Sequence, residues 1–176
     1  MNNPTSLCPI CGNGELQPHV AKNTVEYKER ATELDMYFSV CTDCGSEQAN
    51  AAQTRANKRL MNAFKKTVDG LLTGAEVRTL RSRLGLNQAE AALIYGGGPV
   101  AFSKYETDDV AQSEAMDKLL RLTAELPAAF NLLCRRAGVK HVIAPEIWQL
   151  SEEITMDSQR LDQHDKSEDT NRTVKC

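Results

Sequence analysis

Residues 78–106, RTLRSRLGLNQAEAALIYGGGPVAFSKYE, decide the fold. Val77, Leu80 and Leu84 recur at helical spacing. The preceding Thr73-Gly-Ala-Glu76 has the form of a capping box, in which Thr73 caps the helix and Glu76 reaches back. Gly85 is placed as the left-handed stop. Asn87-Gln88-Ala89-Glu90 repeats the cap signal and opens a short helix through Ala91, Ala92, Leu93 and Ile94. Three glycines at 96–98 then break the chain, and Pro99 suits the first turn of a third helix carrying Ala101, Phe102, Lys104, Tyr105 and Glu106. Ala89 and Ala92 leave room for crossed helices to approach, with Phe102 as core anchor and Tyr105 as a second. A plain helical core is one reading of such a trio. Two capped short helices followed by a polar third helix with a basic residue favour a helix-turn-helix DNA reader, whose recognition helix enters the major groove.

The charge pattern around this stretch agrees with that reading. The chain of 176 residues carries a net charge of −3, so it is not basic as a whole. Between Arg55 and Lys104, however, nine basic residues stand against three acidic ones, a local excess of six positive charges. Aromatic residues make up only 5% of the chain, which favours Leu/Ala helical cores over an aromatic-rich sandwich.

Upstream, Cys8-Pro-Ile-Cys11-Gly and Cys41-Thr-Asp-Cys44-Gly are two matched CxxC knuckles, 29 residues apart. Each turns two thiolates toward one point, and four thiolates suit tetrahedral Zn²⁺. Cys8, Cys11, Cys41 and Cys44 are therefore expected to hold a closed structural zinc site. A dithiol redox pair is the rival reading for either knuckle alone, and the matched second pair weakens it. His19 is expected to be a surface or strand residue rather than a ligand. The spacer has room for a small sheet: Val25 and Tyr27 alternate with polar residues, as do Met36, Phe38 and Val40, and Lys22-Asn23 is a candidate turn. A module of this size draws most of its stability from the metal.

Residues 47–72 form a connector. Leu60, Met61, Phe64 and Val68 recur at helical spacing, and Gly70 is placed to end the helix. Two readings stand for Lys58, Arg59, Lys65 and Lys66: a solvated face, or phosphate contacts beside the reader.

The run RSRLGLNQAEAALIYGGGPVAFSKYE resembles the Xre-type helix-turn-helix of MqsA (YgiT-type) antitoxins, especially in GGGPVAFSKYE, and the two knuckles match that family's zinc module in the same order. The resemblance covers about residues 5–133. It implies a zinc-binding N-terminal part and a DNA-binding, dimerising C-terminal part, in an antitoxin that neutralises a cognate toxin and represses its own operon at a palindromic operator. The family's recognition helix reads bases with an Asn and an Arg; the matching positions here are Val100 and Lys104. Lys104 keeps a donor for guanine O6 and N7 but lacks the arginine fork, and Val100 is restricted to apolar contact such as a thymine methyl. Ser103 is expected on a phosphate or a base edge. With Asn87, Gln88 and Pro99 these residues make up the expected DNA-contacting set.

Downstream, Ser113 is placed to cap a helix with Met116, Leu119, Leu120 and Leu122, and Pro127 to start another with Phe130, Leu132, Leu133 and Cys134, ending at Gly138. These apolar residues are expected in the core or a homodimer interface, with Cys134 as a small buried hydrophobe. Beyond Gly138 the resemblance stops. Val142, Ile143, Ile147, Trp148 and Leu150 form an apolar patch ahead of a polar tail that reads as weakly ordered. The patch either packs back on the domain or docks a partner. It is similar in kind to the tails of antitoxins that bind a SecB-like chaperone, and direct toxin binding is the other docking reading.

The sequence-level architecture is thus mainly α with a small N-terminal zinc-bound β module: a zinc module over 1–46, a helical connector over 47–72, a helix-turn-helix bundle as the C-terminal domain over 73–138, and an extension over 139–176. A zinc-containing transcription regulator without a toxin partner is the alternative. An enzyme is disfavoured. No His/Glu cluster accompanies the cysteines, no nucleophile–base pair is visible, and the glycine triplet lacks the Lys-Ser/Thr of a phosphate loop. Neither a signal peptide nor an apolar run of about 20 residues is present, which excludes a membrane partner on this reading and points to the cytoplasm.

Overall fold

The computed structural model describes residues 7–140, so the expected docking residues Val142, Ile143, Ile147, Trp148 and Leu150 lie outside the described residues. Strands β1 (Leu16–Tyr27) and β2 (Arg30–Cys41) form a long antiparallel hairpin, in register from Leu16 opposite Cys41 to Tyr27 opposite Arg30. A short β3 (Glu47–Gln48) pairs with the cysteine end of β2. Six helices follow among the described residues: α1 (Ala51–Val68), α2 (Gly74–Arg83), α3 (Gln88–Tyr95), α4 (Ala101–Glu106), α5 (Glu114–Glu125) and α6 (Pro127–Ala137). The architecture is a mixed one, with a small antiparallel sheet ahead of a helical bundle.

The hairpin turn is not at Lys22-Asn23. Those residues sit within β1 opposite Asp35 and Leu34. The chain reverses instead at Lys28 and Glu29, both at positive φ (47° and 62°), as a two-residue primed turn requires. Neither residue is a usual turn former. Contacts from far along the chain hold the base of the turn: Lys28 Nζ bonds Asp69 at 2.6 Å, Tyr27 Oη donates to the same carboxylate, and Lys65 approaches the Tyr27 ring, as does the neighbouring Lys28.

Helix α1 opens on a capping box, with Asn50 accepting from Gln53 N and Gln53 reaching back to Asn50 N. Its first half completes the free edge of β2. The Asn57 amide accepts from Tyr37 N and donates to Tyr37 O, and Gln53 donates to Phe38 O, so two side chains occupy the place of a further strand.

The helical core gathers Val77, Leu84, Ala91, Ile94, Tyr95, Phe102, Leu120, Phe130 and Cys134. Phe102 and Phe130 are completely enclosed, and each such side chain contributes about 1.5–3 kcal/mol of burial energy. Thr73, Asn87 and Ser113 cap α2, α3 and α5 as expected, and Gly138 closes α6 in the left-handed conformation. Two local expectations change. Pro99 precedes the N-cap residue Val100 rather than entering the helix. Ala89 faces solvent, while Ala91 and Ala92 provide the close packing.

Candidate functional site

The four knuckle cysteines converge. Their sulfurs all lie within 4.8 Å of one another, with Cys11 and Cys41 at 3.6 Å and Cys8 and Cys44 at 3.8 Å. A tetrahedron of thiolates around Zn²⁺ has edges of about 3.8 Å, whereas a disulfide brings its sulfurs to about 2 Å. The spacing therefore fits a dication at the centre and not a disulfide pair. Folding of each knuckle follows from its sequence: Gly12 N donates to Cys8 O and Gly45 N to Cys41 O, and both glycines have positive φ. Gly14 N donates to Cys11 Sγ and Gln48 Nε2 to Cys8 Sγ. Cys8 and Cys41 are buried, and Cys11 and Cys44 face outward.

The electrostatics of the cluster are split. The Ser46 hydroxyl and the Cys11 backbone amide bring the Cys8 thiol down to about 6, and Ser46 likewise lowers Cys44. The Cys44 backbone amide pulls Cys41 down as well, but burial and the adjoining Cys44 and Cys11 thiols outweigh it and raise Cys41 to about 11. Sulfurs this close cannot all ionise without a cation among them, which is the condition a tetrathiolate metal centre meets. His19 stands apart on exposed β1 and stacks on Phe38. Two contributors were not evident from sequence. Ser46 had no motif. Gly14 had only its place after the knuckle as a signal: a Cβ there would lie 2.5 Å from Cys41 Sγ and 2.8 Å from the Asp43 backbone.

Helices α2, α3 and α4 are held together by buried charge. Glu106, the last residue of α4, is 4% exposed, and Arg81 of α2 grips it through Nε at 2.5 Å and Nη2 at 3.1 Å. Gln88 of α3 donates to the same carboxylate at 2.9 Å, and Arg78 lies 3.5 Å away. One carboxylate thus ties three helices. Burial pushes its pKa up, but the bonds from Arg81 and Gln88 and the arginine charges outweigh burial and hold it below the usual value. Between α3 and α4, Gly97 (φ 90°) passes so near α4 that a Cβ would meet Ala101 Cβ at 2.9 Å and Tyr105 Oη at 3.3 Å.

Beyond α4 a second polar knot forms. Lys66 was expected on a solvated or phosphate-facing surface, but it is fully buried. Its Nζ donates to Asp108 Oδ1 at 2.6 Å and to Tyr105 O at 2.9 Å. Gly74 N at the start of α2 also donates to Asp108. Arg59 makes a paired bond to Asp109, and Asn62 donates to the carbonyls of Asp108 and Asp109. The local excess of positive charge between Arg55 and Lys104 is therefore partly neutralised within the fold, because Glu106, Asp108 and Asp109 follow directly after Lys104 and pair with Arg81, Lys66 and Arg59.

The expected DNA-contacting residues fall into two groups. Pro99, Val100, Ser103 and Lys104 are exposed at the start and along one side of α4. At about 100° per residue, Val100, Ser103 and Lys104 share an arc of roughly 100°, opposite the buried Phe102 and Glu106. Asn87 and Gln88 have roles within the fold: Asn87 accepts from Glu90 N as the α3 cap, and Gln88 is bonded to Glu106. No helix among the described residues is long and apolar enough to cross a membrane.

Comparison with known proteins places this geometry. Residues 6–133 match the family model described as the antitoxin component of bacterial toxin–antitoxin systems, MqsA. Antitoxin MqsA of Escherichia coli (strain K12) is 29% identical over 126 residues, which span 70% of this chain and 96% of the relative. The matched region runs from the cysteine cluster through α1 and helices α2 to α4 into α6, and the chain belongs to the MqsA family of antitoxins.

Proposed function

We propose that this protein is the antitoxin of a type II toxin–antitoxin pair, that it neutralises its cognate toxin by binding it, and that it represses its own operon as a homodimer on a double-stranded DNA operator. Family membership supports a toxin partner and a regulatory rather than a catalytic role. The observation that carries the DNA reading is the arc of Val100, Ser103 and Lys104, which points outward on a helix whose other side is tied down through Glu106.

On this reading α4 lies in the major groove. The Lys104 ammonium donates to guanine O6 or N7 as a point donor, the Val100 methyls pack on a thymine methyl, and Pro99 and Ser103 flank them. Asn87 and Gln88 contribute through the α3 N-terminus they build, which sits beside α4. Leu122 on α5, Leu126 at the junction of α5 and α6, and Leu132 on α6 are exposed and supply apolar surface for a second copy to cover. Cys8, Cys11, Cys41 and Cys44 hold Zn²⁺ as a closed structural centre that leaves no ligand position for chemistry. The proposed units are a zinc module over 1–46, a helical connector over 47–72, a DNA-binding and dimerising domain over 73–138 and an extension over 139–176. The extension, with Val142, Ile143, Ile147, Trp148 and Leu150, is proposed to dock a SecB-like chaperone, and the protein to act in the cytoplasm.

The test is co-expression of the tagged chain with its proposed cognate toxin. Recovery of a stable complex and rescue of growth support the reading. A chain that purifies alone and leaves the toxin active overturns it in favour of a regulator without a toxin partner.

A further inference from the structure

Helix α1 carries two polar stripes that face opposite ways. Gln53 and Asn57, one turn apart, bond the Tyr37, Phe38 and Ser39 stretch of β2. Arg59, Asn62 and Lys66 bond the Tyr105–Asp109 segment at the end of α4. At about 100° per residue, the first pair spans roughly 40° of the helix, and the second set is centred about 200° further round. The helix is therefore bonded on one side to the sheet whose end carries the cysteine cluster and on the other to the helix that faces outward. Both attachments are specific. Asn57 satisfies both backbone groups of Tyr37, and Lys66 is fully enclosed with a carboxylate and a carbonyl as its partners. Asp108, which receives Lys66, also receives the first amide of α2 and stands at positive φ (57°), so any displacement of α1 is felt where α4 ends and α2 begins.

We infer that α1 is the mount of the recognition helix and transmits the state of the four-cysteine site to it, so that loading of the metal site tightens the α4 end and loss of metal loosens it. The inference rests on the reading of the cysteines as a metal centre and of α4 as the reader. The physical route is contiguous. Without a metal the hairpin loses the clamp at its Cys41 end, and α1 loses the surface that its polar first half docks on. Helical segments in proteins draw most of their stability from such packing. As α1 loosens, Lys66, Asn62 and Arg59 release the residues after Tyr105.

Amide hydrogen exchange on the full chain reads this directly. Chelation of the zinc-loaded protein is expected to raise exchange at Tyr105–Val110 by tenfold or more, together with the hairpin amides. The zinc-loaded R59A/N62A variant is expected to show the same rise at Tyr105–Val110 with its metal still bound, and chelation then to add little there. Faster exchange confined to the hairpin on chelation, with Tyr105–Val110 unchanged, overturns the inference. Metal analysis of the same samples separates the two claims. If the chain holds no metal, the zinc reading fails, and the mount is judged in reverse by whether R59A/N62A speeds exchange at Tyr37; an unchanged rate there overturns it.

Discussion

Replacing Glu106 by Gln removes one charge from the point where α2, α3 and α4 meet, and leaves the shape of the side chain intact. In the native protein the carboxylate accepts two bonds from Arg81 and one from Gln88, with its side chain fully enclosed and that of Arg81 only 15% exposed. Removing one partner of a buried ion pair costs about 3–5 kcal/mol, because the remaining charge is left without compensation. Arg81 keeps its bond to Leu86 O and some contact with water, so the loss is expected near about 3 kcal/mol. Domains of this kind have a total stability of about 5–15 kcal/mol, so that is a large fraction. With a urea slope of about 1–3 kcal/mol per molar, the unfolding midpoint of the helical signal at 222 nm should fall by about 2 M. Arg81→Met added to Glu106→Gln should recover part of the loss, because no unpaired guanidinium remains. A midpoint shift below about 0.3 M, or additive losses in the double variant, would refute the assignment of Glu106 as the tie between the helices. The sign of the pH dependence follows. The folded protein holds this carboxyl below its ordinary value, as it does Asp117, where Arg121, Gln112 and the Leu72 amide outweigh burial. Their stabilisation is complete above the ordinary carboxylate range and is lost as pH falls through the folded values. In the Glu106→Gln variant that acid-side loss should be shallower.

Three further outcomes are expected. Gly14→Ala forces a methyl onto Cys41 Sγ and the Asp43 backbone, so zinc content measured after purification should fall well below one per chain while the helical signal of the bundle persists; full zinc loading would contradict the role given to Gly14. Glu29→Gly relieves a left-handed non-glycine residue in the hairpin turn and should stabilise the hairpin by about 1 kcal/mol in thermal unfolding, whereas destabilisation would show that Glu29 makes a contact that matters more than its backbone. Removal of residues 141–176 should leave DNA binding unchanged and alter the chain's lifetime in the cell or its dependence on a chaperone; loss of DNA binding would assign the extension to the reader.

What could be read from sequence and what could not divides along the range of the interactions. The α2 and α3 starts were legible because Thr73 with Glu76 and Asn87 with Glu90 complete their hydrogen bonds within one turn. The cysteine cluster was legible because metal chemistry restricts which residues and spacings serve. The hairpin turn lies away from Lys22-Asn23 because Tyr27 and Lys28, at its base, are held by Asp69 and Lys65, some forty residues away. Lys66 looked like one basic residue among several on a polar helix, and only the return of the chain at Asp108 encloses it. Glu106 was visible as the end of a motif, but its connection to Arg81 and Gln88 depends on the crossing of three helices. Asn57 carried no signal at all, since its task is defined by the free edge of β2.

The central claim, that α4 reads DNA through the arc it exposes, is tested most directly by the binding of the full chain and of Lys104→Ala to a duplex selected by the native protein from random sequences and to an unselected duplex of the same length and salt. The account predicts that Lys104→Ala weakens binding to the selected duplex by about 1–3 kcal/mol and changes binding to the unselected one little. Equal losses on both duplexes would make Lys104 a phosphate contact, and failure of the native protein to enrich any sequence would contradict the reader itself.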